Sequence, residues 1–251
     1  MGSLRKPFQG VLNILRFNWH FYLLSACILT ALSILYILLP SYRIYLLFVG
    51  LLTVISSFVS LLSAYYIYDL SELYSFKWIP AMGMDKRVIN ISAGFDEISG
   101  ILRDKYPNSE LEVFDFYDPK KHTEVSIKRA RNAYPRYPGT RRVQTHSFPL
   151  GDDAADKVFV MLSAHEVRDT KERVEFFQEI RRIMKSDAQL IVVEHLRDRA
   201  NFIAFNFGFF HFYTRSTWQS CFKRADFMIR NEIKITPFIS AFILEKHGSP
   251  L

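Results

Sequence analysis

The stretch VINISAGFDEISG, Val88–Gly100, is the segment around which the rest of the chain is arranged. Its largely apolar residues 88–91 are typical of a buried strand, and the small residues 92–94 indicate a turn where the backbone can approach a ligand closely. A strand that turns directly into a helix points free N–H groups at whatever lies above the sheet edge, as in sites for nucleotide-type ligands. Because the turn holds a single glycine, an ordinary strand-to-helix connection is the alternative.

The composition of the chain predicts a membrane segment joined to one soluble domain. Of the 251 residues, 49% are hydrophobic and 23% are charged, and the formal net charge is +7. This mixture is too apolar for a typical soluble protein and too charged for a polytopic one. The two cysteines, Cys27 and Cys221, indicate neither a disulfide framework nor a thiolate metal site, which fits a reducing compartment. No dense Lys/Arg run occurs, so the basic balance favours an anionic membrane surface over nucleic acid.

Two uncharged runs near the N-terminus predict a transmembrane helical hairpin. No charged side chain occurs in residues 21–40 or 44–68, and each run is long enough to cross about 30 Å of hydrocarbon as a helix. The three residues 41–43 between the runs permit only a tight turn. A buried helical hairpin or a dimerising module is the alternative. Residues 1–19 mix basic and apolar side chains and predict a short interfacial helix.

The distribution of basic residues predicts the orientation of the hairpin. Basic side chains cluster before the first run, which places the N-terminus in the cytoplasm. Two crossings return the chain to the same side, so we expect the remainder to be cytoplasmic and held at the cytoplasmic (inner) membrane. The predicted organisation is an anchor over residues 1–70, a linker over 71–86 and one domain over 87–247.

Strands alternate with helices in that domain. The predicted strands are residues 87–91, 111–116, 142–145, 157–162, 189–194, 228–235 and 241–245, and the predicted helices are residues 96–106, 123–133, 171–184 and 216–224. This alternation predicts an α/β, Rossmann-like fold with a mainly parallel seven-stranded sheet and helices on both faces. Ligands in such sheets bind at the carboxyl ends of the strands.

Ordered motifs in the second half of the chain resemble those of a known family. They are Phe148-Pro149-Leu150, Asp156, Ala164-His165-Glu166, residues 179–185 (EIRRIMK) and Val192-Val193-Glu194. Their order and spacing resemble class I S-adenosylmethionine-dependent methyltransferases, especially the ubiquinone/menaquinone C-methyltransferase type. The resemblance covers about residues 86–245 and implies S-adenosylmethionine as the cofactor.

The resemblance also implies which residues bind the cofactor. They are Asn90, Ser92, Gly94, Asp96, Asp115, Phe116, Gln144, Leu162 and Ser163. Asp115 would accept both ribose hydroxyls at the end of the second strand, and capping a turn is its alternative role. Phe116 or Tyr117 would face the adenine ring, with Gln144 at the adenine amino group. Leu162 and Ser163 would lie near the sulfonium.

The family's first motif, an acidic residue followed by Gly-x-Gly-x-Gly, would fall on residues 90–96, where only Gly94 is kept. Asp96 places a negative side chain where close backbone approach to the cofactor is expected. It would hydrogen-bond the cofactor's ammonium, bind a cation or exclude the cofactor. The alternative is a carboxylate at the start of a helix, which the helix dipole favours.

Methyl transfer to a hydroxyl or an acidic carbon requires alignment of the acceptor and removal of a proton. The candidate catalytic residues on the loops that follow the strands are His165, Glu194, His195 and His211, with Glu166 beside the first. A histidine suits this role because its pKa lies near neutrality. A hydrogen-bonded structural role is the alternative for each. The spacing of ligand-type residues predicts no metal site.

Residues 201–218 (NFIAFNFGFFHFYTRSTW) are unusually aromatic and predict a membrane-facing lid or lipid-tail groove, with core packing as the alternative. A second feature is a group of basic residues that would contact anionic headgroups or form a solvated helix face. The group consists of Lys128, Arg129, Arg131, Arg136, Arg141 and Arg142.

Together these features predict a membrane-anchored methyltransferase that acts on a hydrophobic, membrane-resident acceptor: a quinone precursor, an aryl or polyene lipid, or an isoprenoid. Its expected partners are the lipid bilayer and this acceptor, with no nucleic acid, and homo-oligomerisation is left open. One alternative is a methyltransferase fold redirected to other chemistry, with a metal ion near Asp96. Another is a non-catalytic scaffold tethered to the membrane.

Overall fold

A seven-stranded α/β sheet forms the centre of the computed structural model, which describes residues 5–79 and 85–248. The strands are β1 (Arg87–Ser92), β2 (Glu110–Asp115), β3 (Arg141–Arg142), β4 (Ala155–Met161), β5 (Met184–His195), β6 (Phe227–Thr236) and β7 (Ile239–Lys246). Their spatial order is β3-β2-β1-β4-β5-β7-β6. The first five strands are parallel, whereas β7 runs antiparallel to both β5 and β6. The predicted Rossmann-like architecture is confirmed.

Helices cover both faces of the sheet. The helices of the domain are α3 (Ser99–Lys105), α4 (Val125–Ala133), α5 (Thr170–Ile183), α6 (Arg199–Phe205) and α7 (Arg215–Arg224), and α1 (Gln9–Leu38) and α2 (Arg43–Tyr65) form the N-terminal hairpin. On one face, Phe177 of α5 packs against Phe222 of α7 in a large aromatic core. On the other face, Leu102 of α3 joins a second core with Phe159 of β4. Burial of these side chains supplies the main driving force for folding.

The edge strand β3 is shorter and earlier than the predicted strand 142–145. It pairs with β2 only at Arg141 and Arg142. The chain then turns, and Gln144 bridges to Ser147 instead of extending the sheet. The nearby sequence is polar and holds prolines, so it offers no apolar face to extend the strand.

The N-terminal hairpin consists of two long, largely exposed helical segments. By length and composition, Gln9–Leu38 and Pro40–Ser75 are both able to cross a membrane. The first is kinked at Asn18, whose φ of −118° and ψ of 20° are not helical. The predicted interfacial helix and first span are therefore one element that changes direction at Asn18.

The first turns of α1 are bound to the rest of the molecule. The Asp69 carboxylate accepts the backbone N–H groups of Gly10 and Val11 at 2.7 and 2.8 Å, which caps the start of α1 with a residue just beyond α2. The Tyr134 hydroxyl donates to Asn13 Oδ1 at 2.7 Å. Arg129 of α4 donates to the Phe17 carbonyl at 2.7 Å.

The segment predicted as a linker packs against the sheet. Leu73 and Phe76 are fully buried and Ile79 is 4% exposed, all within the second core. The Phe76 ring meets the Phe159 ring edge-on at a centroid distance of 5.8 Å. The remainder of that predicted segment includes residues 80–84, which lie outside the described residues.

Candidate functional site

A cavity of about 1060 Å³ lies between the carboxyl ends of the strands and the helical hairpin. Its inner wall includes Ser92, Asp96, Ser163 and His165, and its outer part is lined by side chains from both long helices. The latter include Phe21 and Ile28 of α1 and Ser57 of α2. The cavity therefore joins the polar edge of the sheet to an apolar groove in the hairpin.

The turn after β1 is built around Asp96. Its Oδ1 atom accepts the backbone N–H groups of Ile98 and Ser99, both at 3.0 Å, and the amide of Asn90 at 3.1 Å. Helix α3 begins only at Ser99, later than the predicted residue 96, because Asp96 caps it from outside. The Oδ2 atom of Asp96 is buried and has no hydrogen-bond partner among the described residues, although Asp96 lines the cavity. One carboxylate oxygen thus holds the turn and the other is available to a ligand.

Gly94 and Asp115 mark a second, nearly filled cavity of about 10 Å³ beside the first. Gly94 has a φ of +91°, which a residue with a side chain rarely adopts. Asp115 is 2% exposed, and its Oδ2 atom lies 2.9 Å from Nη1 of Arg131 and 3.3 Å from Nε of Arg136. The Arg131 guanidinium also lies 4.1 Å from the centroid of the Tyr117 ring. Arg131 therefore occupies the space between Gly94, Asp115 and Tyr117.

Two residues predicted at the adenine have other surroundings. Phe116 is 3% exposed and packs in the core, with its ring centroid 5.2 Å from that of Phe176. Tyr117 is the aromatic residue beside Asp115 instead. Gln144 lies in the turn after β3 and lines neither cavity. Thr140, which precedes β3, lines the smaller cavity instead.

The end of β4 has the geometry expected of a ligand-binding strand end. Leu162 adopts a φ of +49°, a left-handed conformation that is costly for a leucine. The Ser163 hydroxyl donates to the carbonyl of Ile91 in β1 at 3.2 Å, which ties the two strand ends together. Both residues line the large cavity.

A buried ionic cluster lies at the polar end of the cavity. Nδ1 of His165 lies 2.7 Å from Oε2 of Glu194, which is completely buried, and Nε2 of His165 lies 3.4 Å from Oε1 of Glu166. Burial alone would lower the pKa of His165, but the Glu194 charge and hydrogen bonds to both glutamates raise it to about 10. Beside two carboxylates, and with no other cation bound, the protonated form of this imidazole is favoured, in which both ring nitrogens are hydrogen-bond donors.

His211 reaches the same cluster from the aromatic segment. Its Nε2 atom lies 3.4 Å from Oε1 of Glu166, and its Nδ1 atom lies 2.5 Å from Oε1 of Glu124. Burial alone would raise the pKa of Glu166, but hydrogen bonds from His165 and His211 lower it below its usual value. The Arg168 guanidinium contacts the outer side of the His211 ring.

His195 has a different environment from His165. The Tyr68 hydroxyl donates to its Nε2 atom at 2.8 Å, and its Nδ1 atom donates to the carbonyl of Phe238 at 3.1 Å. Burial and the charge on His165 lower the pKa of His195 to about 4. Both ring nitrogens are bonded within the protein, and His195 also lines the large cavity.

The aromatic segment divides into two parts. Phe212 and Trp218 belong to the buried core, whereas Phe202, Phe207 and Phe210 are exposed by 49%, 84% and 57%. Helix α6 in this segment packs against α2 of the hairpin. The exposed aromatic side chains therefore lie on the part of the domain next to the hairpin.

Three residues of this region were not predicted to have their observed roles. Glu124 directly precedes helix α4, and Arg131 lies in its last turn. From the sequence, Arg131 was expected only to contact headgroups or to lie on a solvated helix face. Asn13 lines the large cavity, and its Nδ2 atom is buried without a partner among the described residues. An amide side chain between Leu12 and Ile14 was the available signal for Asn13. No local signal showed that Arg131 would reach Asp115.

Comparison with known proteins supports the fold. A family profile described as a methyltransferase domain matches residues 121–192. No curated protein matches the chain. A chain from the complex between the Haloferax volcanii Trm112 methyltransferase activator and a methyltransferase is 12% identical, with a TM-score of 0.52, over 77% of this chain and 97% of that one. Human N-acetylserotonin methyltransferase, solved with S-adenosylmethionine, is 14% identical, with a TM-score of 0.52, over 77% of this chain and 56% of that one.

A methyltransferase structure from Aquifex aeolicus, described as dependent on S-adenosylmethionine, is also similar, with 13% identity and a TM-score of 0.49 over 64% of this chain and 84% of that one. At these identities the likeness concerns the fold. The chain has a class I methyltransferase fold that two long apolar helices precede.

Proposed function

We propose that the protein is an S-adenosylmethionine-dependent methyltransferase that acts on a hydrophobic, membrane-resident acceptor. The observation that supports this most directly is the single cavity of about 1060 Å³ that runs from the turn after β1 to the groove between α1 and α2. In this fold, ligands bind at the ends of the strands. The part of the same cavity between the two apolar helices would accommodate a lipid-like tail. The head group would lie at the ionic cluster and the tail along the hairpin.

The residues at the turn fit the cofactor. The unpaired Oδ2 atom of Asp96 is positioned to accept a hydrogen bond from the cofactor's ammonium group. Asp115 at the end of β2 offers a buried carboxylate to the ribose hydroxyls. Binding of the adenosine part of the cofactor requires the Arg131 side chain to leave Asp115. The Nη1 atom of Arg131 fills the space beside Gly94, since a Cβ atom built on Gly94 would lie only 1.9 Å from it.

When bound, the cofactor supplies an activated methyl group on a cationic sulfur. The protein's own residues then hold the acceptor. His165 and Glu166 line the polar end of the cavity, where they would hold the head group of the acceptor. Phe21 and Ile28 line the apolar part of the cavity, where they would exclude water from the tail.

The proposed site of action is the cytoplasmic face of the inner membrane. The hairpin supplies two segments of spanning length, and the exposed Phe207 and Phe210 on the adjacent part of the domain suit insertion at the headgroup level. The acceptor classes that fit are quinone precursors, aryl or polyene lipids and isoprenoids.

The test is transfer of a deuterated methyl group from S-adenosylmethionine to a lipid extract of the host membrane by the purified protein in nanodiscs. We expect a lipid-soluble product that is heavier by one labelled methyl group, and loss of that product in Asp115→Asn. Glu112→Gln is the matched control, because Glu112 lies on the same strand and pairs with Arg141 away from the cavity. Absence of a labelled product, with folded protein that also fails to bind S-adenosylhomocysteine, would reject the proposal.

The position of Arg131 favours a second candidate, a methyltransferase fold with non-methylating chemistry. In that case the ion pair with Asp115 would be permanent and Gly94 would stay covered. S-adenosylhomocysteine would not bind at millimolar concentration, and lipids would be altered without a gain of one CH₂ unit.

A further inference from the structure

Three side chains from two separate parts of the chain converge at the polar end of the large cavity. His165 and Glu166 belong to the turn after β4, and His211 belongs to the aromatic segment. One ligand-type atom from each lies within 4.8 Å of the others. The Nε2 atoms of His165 and His211 both lie 3.4 Å from the same oxygen, Oε1 of Glu166. With metal–ligand bonds of about 2.0–2.2 Å, separations of this size place one ion within reach of all three.

Each histidine is oriented by a second carboxylate. Oε2 of Glu194 lies 2.7 Å from Nδ1 of His165, and Oε1 of Glu124 lies 2.5 Å from Nδ1 of His211. Histidines that bind metal ions commonly donate the other ring N–H to a carboxylate, which fixes the ring and leaves Nε2 for the ion. Both histidines show this arrangement, although Glu124 and Glu194 come from unrelated positions in the fold.

The charges around the cluster suit a divalent cation. Glu124, Glu166 and Glu194 contribute three negative charges, and Arg168, which pairs with Glu124 at 3.3 Å, contributes one positive charge. A divalent ion with two neutral imidazoles balances this set. The Arg168 guanidinium, whose side chain is 39% exposed, contacts both ring nitrogens of His211 and donates to its carbonyl at 2.7 Å, so an ion at Nε2 requires the Nη2 atom of Arg168 to move away from the ring.

We propose that His165, Glu166 and His211 bind one divalent transition-metal ion of the Fe²⁺, Mn²⁺ or Zn²⁺ class. Two imidazoles and one carboxylate suit such ions and leave coordination positions open. All three residues line the large cavity, so the open positions face the space assigned to the acceptor. An acceptor hydroxyl or carbonyl oxygen would bind there directly. The metal site does not depend on the proposed methyl transfer.

The experiment measures metal bound to the full-length protein in detergent after chelator treatment. The stripped protein is incubated with Fe²⁺ under anaerobic conditions, with Mn²⁺ or with Zn²⁺, desalted and analysed by inductively coupled plasma mass spectrometry. We expect about one ion per chain with at least one metal. Co²⁺ provides a second measurement, because its visible spectrum would change between wild type and a ligand variant.

His211→Gln is the decisive variant, because His211 lies at the rim and its loss leaves the buried pair of His165 and Glu194 intact. We expect metal content to fall at least tenfold in this variant and the affinity to fall 10–100-fold in Glu124→Gln. His146→Gln is the matched control, since His146 is exposed and outside the cluster, and it should retain the ion. Wild-type protein that is folded by circular dichroism but binds none of the metals, or His211→Gln with unchanged metal content, would overturn the proposal.

Discussion

Nη1 of Arg131 lies 2.9 Å from Oδ2 of Asp115, the carboxylate that the fold places at the end of its second strand. The pair is nearly enclosed, with the two side chains 14% and 2% exposed. Solvent screens such a pair only weakly, so a ligand that binds Asp115 must displace the ion pair with Arg131. Cofactor affinity is thereby linked to the position of helix α4, which also contacts α1.

Arg131→Ala should increase the affinity for S-adenosylhomocysteine, because it removes the group that competes for Asp115 and the space above Gly94. We expect about a tenfold lower dissociation constant, measured by calorimetric titration in detergent. Arg129→Ala is the control, since Arg129 is on the same helix but donates to the Phe17 carbonyl and does not touch Asp115. An equal or weaker affinity in Arg131→Ala would show that Arg131 does not compete with the ligand.

Gly94→Ala should lower both the stability and the affinity for S-adenosylhomocysteine. The substitution combines a φ of +91° with a Cβ atom 1.9 Å from Arg131 Nη1. Gly139→Ala is a matched control, because Gly139 has a φ of +81° with no atom within 4 Å of the added Cβ. We expect both variants to lose about 1 kcal/mol from backbone strain, and only Gly94→Ala to lose ligand binding. Thermal unfolding and calorimetry measure the two effects.

His195 should remain neutral throughout the physiological range. With a pKa lowered from 6.5 to about 4 in the folded protein, it binds no proton between those values, whereas the unfolded chain does. Stability is therefore lost as the pH falls from 6.5 towards 4, by at most about 3 kcal/mol from this group. NMR of ¹³C-labelled histidine should show one ring, absent in His195→Gln, that does not titrate above pH 5. A His195 signal with a midpoint near pH 6.5 would contradict the buried, doubly bonded arrangement.

Phe76→Ala should destabilise the domain, although Phe76 belongs to the segment between the hairpin and the sheet that was predicted as a linker. Phe76 is fully buried beside Phe159, and truncation of such a side chain costs about 3–5 kcal/mol. Lys77→Ala should have little effect, because Lys77 forms only an exposed ion pair with Glu72. Chemical unfolding of both variants separates the outcomes, and equal midpoints would show that residues 71–79 are an independent linker.

Both ends of the chain should lie in the cytoplasm. A fusion of green fluorescent protein at the C-terminus should fluoresce, whereas alkaline phosphatase at the same position should be inactive. Alkaline phosphatase inserted after Ser41, in the turn of the hairpin, should be active. Active phosphatase at the C-terminus would show that the orientation is the opposite of the one predicted.

The sequence was sufficient for the architecture of the domain, because its strands have strong apolar patterns. Residues 157–162 and 189–194 were predicted as strands, and the structure contains β4 and β5 there. The short edge strand was misplaced because only two of its residues pair with β2. The predicted boundary between the interfacial helix and the first span lies close to Asn18, where the backbone is not helical and the long helix is kinked.

The site was predicted in part, because its contacts join distant residues. Motif spacing led to Asp96, Asp115 and Ser163, which line the cavities at the strand ends. Spacing gave no indication that His211 would meet Glu166, since 45 positions separate them along the chain. The opposite pKa shifts of His165 and His195 follow from local charge and burial, which depend on the folded arrangement.

The carboxylate of Asp69 joins the first turn of α1 to the residues just beyond α2, while α4 holds the same part of α1 against the domain. These contacts tie the first turns of α1 and the end of α2 to the domain, so a tilt of this end of the hairpin would be passed on to the sheet. In a thinner bilayer, where long helices tilt to reduce hydrophobic mismatch, the whole molecule would have to lean. If the hairpin spans a bilayer as proposed, the acyl-chain length would change the angle between the cavity entrance and the lipid surface, and with it the access of lipids to the site.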